Sequence, residues 1–94
     1  MIMKVMVKFK IEVLNNMSYG TLSNMWENLI TALNVNYEIK DMYLGDGLIT
    51  KAAETEASII RINENIDSIK LVMTNKESDA LEFFKFGMEP ISLN

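Results

Sequence analysis

The sequence predicts an α+β fold, a two-layer sandwich. A mostly antiparallel sheet of four or five strands would carry two amphipathic helices, in the order β-α-β-(β)-β-β-α. Three observations predict it. The stretch from Met3 to Val13 alternates apolar and polar residues. The stretch from Leu22 to Leu33 places its large apolar residues at helical spacing. Two more alternating runs, 58–63 and 66–74, flank Glu64-Asn65.

In the first run, Met3, Val5, Val7, Phe9, Ile11 and Val13 share one strand face, with Lys4, Met6, Lys8, Lys10 and Glu12 on the other. Asn15-Asn16 breaks the pattern as a turn. Leu22, Met25, Trp26, Leu29, Ile30 and Leu33 then form a helical stripe, capped by Ser18 or Thr21 and stopped at Asn34. Trp26 is expected at the centre of its contact with the sheet.

Tyr37 to Leu44 reads as a second strand only if a bulge at Lys40-Asp41 restores its apolar residues to one side. Gly45-Asp46-Gly47 is a turn signal. The run 48–57 has helical residue types without an apolar stripe. It reads as a loop or one helical turn, with Leu48-Ile49-Thr50 as a short returning strand. The runs 58–63 and 66–74 read as a hairpin that points Ile60, Ile62, Ile69, Leu71 and Met73 inward and Ile59 and Val72 outward. Thr74-Asn75-Lys76-Glu77 matches a capping box, so a second helix starts there, buries Ala80, Leu81, Phe83 and Phe84, and ends at Gly87. The tail 88–94 holds the only proline and reads as an edge strand or extended tail.

Ninety-four residues make a single domain, 1–94. The chain has no histidine and no cysteine, which removes the commonest general base, the commonest nitrogen ligand and every thiolate site. No nucleophile motif, calcium loop or phosphate-binding glycine loop is present. The reading is therefore not an enzyme, with no cofactor and no metal. The apolar runs are far shorter than the roughly 20 residues that span a bilayer, and no leader pattern precedes them. No membrane association and a cytoplasmic location are expected, in the cytosol of a bacterial host. The abundance of Asn, Ile and Lys, with one arginine, associates the chain with a low-GC bacterium or its phage.

The net charge is −4 and the whole excess lies in residues 46–94. Glu54, Glu56, Glu64, Asp67, Glu77, Asp79 and Glu82 are the candidates for a patch that meets a basic partner, such as a nuclease or another nucleic-acid-binding protein. Met6, Ile59 and Val72 are candidates for an apolar contact on the uncovered sheet face. The expected function is binding and inhibition of another macromolecule by steric and electrostatic occlusion, in the manner of a phage anti-defence (anti-CRISPR-like) or immunity protein. One alternative is a small-ligand or nucleotide-binding regulatory homodimer. Another is a nucleic-acid module using Lys4, Lys8 and Lys10. Net negative charge and the lack of stacking aromatics beside those lysines argue against nucleic acid.

Overall fold

A computed structural model describes residues 6–83; 86% of them are helical, with no strand among them. This overturns the α+β sandwich. The described chain is a long helical hairpin with a short helix and an irregular arm laid against it. Its elements are α1 (Ile11–Asn15), α2 (Tyr19–Gly45) and α3 (Ile49–Phe83), and α2 pairs with α3 along its length. The radius of gyration is 18.9 Å, against about 12 Å for a compact domain of this length. The short axis of 14 Å is one layer of helices. Expectations for Met3, Lys4, Val5, Phe84, Gly87 and the tail 88–94 lie outside the described residues.

The predicted first helix is present, with Ser18 as its cap: its hydroxyl oxygen accepts the Thr21 N–H at 3.1 Å. It does not stop at Asn34. Asn36, Ile39, Lys40 and Tyr43 continue the inward face at spacings of three, one and three. The bulge needed to read 37–44 as a strand was the mark of a helical period forced into a period of two. The turn is where it was expected. Gly47 takes φ +74°. Its N–H donates to Leu44 O at 3.1 Å, and the Leu48 N–H donates to Tyr43 O at 2.8 Å. These two bonds are the Schellman pattern that satisfies the last carbonyls of a helix.

α3 begins at once on the far side of this turn. Ala52, Thr55, Ser58, Ile59, Ile62, Asn65, Ile66, Ile69 and Val72 are buried along one face. The first turns were hard to recognise because the residues facing α2 are small and polar. Thr55 is buried because its hydroxyl donates to Lys51 O at 2.9 Å, one turn back. The hairpin predicted over 58–74 is replaced by this helix, which keeps Ile62 and Ile69 inward but changes the side of others. Ile59 and Val72, expected outward, are 2% and 0% exposed, while Ile60 and Leu71, expected inward, are each 53% exposed. Thr74 is no cap, because α3 is already running through it.

The first predicted strand is absent: residues 6–10 form an arm without regular secondary structure, extended at Lys10, followed by α1. Its predicted apolar face is not kept together: Val7, Ile11 and Val13 are exposed, whereas Phe9 from that face and Met6 from the other both pack on the core, as does Leu14. The arm is held by Asn65, which is fully buried. The Phe9 N–H donates to Asn65 Oδ1 at 2.8 Å, and Asn65 Nδ2 donates to Val7 O at 3.0 Å. One amide side chain thus pairs with the backbone on either side of Lys8. Lys76 Nζ donates to Asn15 O at 3.0 Å, which ties down the end of α1.

Candidate functional site

The arm occupies one broad face of the hairpin, reached from α3 by Asn65, Glu64 and Lys76. Lys70 lies five residues after Asn65, which is about 140° around the helix. It therefore belongs to the opposite face, which no described residue covers. Here a cleft of about 300 Å³ lies between the helices, lined by Tyr19 and Trp26 from α2 and Lys70, Met73, Thr74 and Glu77 from α3. Trp26 is 36% exposed, so it sits at the rim rather than at the centre of the core.

The Tyr19 hydroxyl donates to Glu77 Oε1 across the cleft. That hydrogen bond, then partial burial, then the carboxylate charge, hold the phenol pKa above its ordinary 10.0. The bond favours the folded state while the phenol is protonated, and is lost as pH rises through the raised value. Glu77→Gln is expected to bring Tyr19 ionisation back down, read as an earlier rise in tyrosinate absorbance. Superimposable titrations of the two proteins would remove this contact.

The cleft offers an indole, a phenol ring and a thioether beside one cation and one carboxylate. That set suits an apolar side chain or helix edge with polar flanks. No group of metal-ligating side chains gathers among the described residues.

The exposed aromatics extend beyond the cleft. Tyr19, Trp26, Ile30, Leu33, Tyr37 and Leu44 follow one another along α2 on a single line about 90° from the side that faces α3, with Ile30 and Leu33 at its middle half-buried against the core. Tyr19, Tyr37 and Leu44 are 43%, 45% and 46% exposed. This second stripe was the signal missed in the sequence: α2 has too many apolar residues for one neighbour.

Comparison with protein-family models, with curated proteins and with solved structures finds no match.

The residues predicted to bind a partner are not brought together. Helical spacing sends Glu54 and Asp79 to one side of α3, Glu56 and Asp67 to another and Glu77 to the cleft, and Glu54 and Asp79 stand about 37 Å apart along the axis. Several of these acids are already engaged. Glu56 Oε2 accepts from Lys40 Nζ at 2.7 Å, a contact that raises the Lys40 pKa. Glu64 lies 3.7 Å from Lys8 Nζ and 3.3 Å from Arg61 Nε. Glu82 falls in the last turn of α3. Ile59 and Val72 are core residues and Met6 packs against the core, so these three form no outward patch. Of the predicted lysine face, Lys8 pairs with Glu64 and Lys10 is the residue preceding α1, and no strand joins them.

Proposed function

We propose that this chain is a non-catalytic binding protein that occludes another macromolecule, with inhibition of that macromolecule as the outcome. One observation carries the reading. Among the described residues, 14 large hydrophobic side chains are exposed, against nine buried hydrophobics that form the core. Scattered exposed apolar residues are ordinary on a folded protein, but contiguous ones mark association. Part of it runs along the outer ridge of α3 through Ile49, Ile60 and Leu71, which are 64%, 53% and 53% exposed. The net charge of −4 supports a basic partner, steered by long-range attraction and rejected less readily than an acidic one.

The test uses the full chain carrying a photo-crosslinking residue at Ile60 or Leu71, exposed to host extract. A single heterologous protein should form the adduct, and that protein, once purified, should lose activity as the chain is added. The reading is overturned by the absence of any heterologous adduct.

A further inference from the structure

The aromatic stripe of α2 has an internal symmetry that names its occupant. Tyr19, Trp26, Ile30, Leu33, Tyr37 and Leu44 are separated by seven, four, three, four and seven residues, a spacing that reads the same in both directions. Two copies of α2 laid antiparallel about a twofold axis between Thr31 and Ala32 would match this stripe with itself. Tyr19 would then meet Leu44, Trp26 would meet Tyr37, and Ile30 would meet Leu33, each layer occurring twice. A twofold interface requires this kind of self-complementarity, whereas a stripe that serves an unrelated partner does not.

The flanks agree. The same axis sets Glu27 beside Asn34 of the second copy and Asp41 beside Ser23, so no like charges meet. Ser23 and Lys40 form the polar layers, and Lys40 is already neutralised by Glu56 at 2.7 Å. On α3, Lys70 comes within one turn of the second copy's Glu56, an opposite charge. The area is also sufficient. Two helices side by side, each about 10 Å wide and sharing about 40 Å of length, present about 800 Å² per copy, which is what a stable interface hides per partner. The arm does not obstruct this, since it lies on the opposite face.

We infer that the open face of the hairpin binds a second copy of this chain, giving an antiparallel four-helix dimer that closes over Trp26 and Tyr37. This rests on the reading above that the hairpin works by association, and it leaves the outer ridge of α3 free for another macromolecule. Light scattering or sedimentation of the full chain across the micromolar range should give twice the chain mass. Trp26→Glu should halve that mass while the helical circular dichroism is kept.

Because Trp26→Glu risks unfolding, a second measurement uses the absence of native cysteine. Trp26→Cys and Tyr37→Cys chains are oxidised separately and as a mixture. The mixture alone should give a disulfide-linked dimer, since each cysteine lies about 16 Å along the axis from its own symmetry mate. A mixed dimer keeps one Trp26–Tyr37 layer intact. Chain-sized mass at every concentration overturns the dimer, and so does self-linking of Trp26→Cys. A dimer that forms no heterologous adduct at Ile60 or Leu71 would leave this inference standing and remove the inhibitor reading alone.

Discussion

Asn65→Leu should leave the α2–α3 hairpin helical and release the arm. Leucine keeps the branched outline of asparagine but is bulkier, so it leaves no cavity; the effect is some crowding at a fully buried position plus loss of the two hydrogen bonds. Each is worth about 0.5–1.5 kcal/mol net, and a backbone N–H or C=O left buried without a partner costs about 1–3 kcal/mol. A loss of about 2–3 kcal/mol is expected in denaturant unfolding. The second readout is more specific. The Phe9 amide, bonded to Asn65 at 2.8 Å, should lose its protection from hydrogen exchange while amides in the middle of α3 keep theirs. The Lys8–Glu64 pair, 3.7 Å apart and solvent-accessible, is too weak to hold the arm alone. Unchanged protection at Phe9 would show that the arm is held by its apolar contacts and not by Asn65.

The adjacent isoleucines 59 and 60 provide the sharper test of register. Ile59 is 2% exposed and Ile60 is 53% exposed. Ile59→Ala removes buried methylenes and leaves a cavity in a thin core, a loss of about 2–4 kcal/mol. That is a large share of the roughly 5–15 kcal/mol that holds a typical domain together. Ile60→Ala removes mostly exposed surface and replaces a β-branched residue by the best helix former, so its effect should stay within about 0.5 kcal/mol. Thermal or denaturant melts of the two single variants decide the matter. An Ile60→Ala loss equal to that of Ile59→Ala would contradict the helical register of α3.

The same pair shows why the strands were legible in the sequence and absent from the fold. Within six residues, Ile60 and Ile62 alternate with Ile59 and Arg61 as a strand requires, and isoleucine favours strands. Across fourteen residues, Ile59, Ile62, Ile66, Ile69 and Val72 recur at helical spacing, and burial against α2 follows that longer period. The run 3–13 misled for a related reason. Its alternation is real in the sequence, but a lone arm has no second strand to hold it to that period, and both Met6 and Phe9, from opposite sides of the predicted strand, pack inward.

What was legible depended on local chemistry: the Ser18 cap, the first half of α2 and the turn at Gly45 to Gly47. Asn65 was not, because an asparagine next to a glutamate resembles a turn, and only its place between Ile62 and Ile69 on the buried face marks it as interior. For the candidate site, Trp26 was found but assigned to the core. Read as a strand, the stretch holding Tyr37 and Leu44 joins no stripe with Trp26. The acidic residues were correctly seen as numerous; their scatter around a helix follows from a rotation of about 100° per residue, which no count of charges contains.

The hold of Asn65 on the arm also bears on the order in which the molecule is made and finished. Its two hydrogen bonds join residues 56 and 58 positions apart, whereas the α2–α3 hairpin closes outward from a tight turn at Gly47. Closing from a turn is fast, and a distant pairing waits on the chain between. The arm is the first part of the described chain to leave the ribosome, yet its backbone partner does not exist until residue 65 has been added. During synthesis, the Val7 carbonyl and the Phe9 amide therefore stay bonded to water until the rest of the chain has supplied their partner.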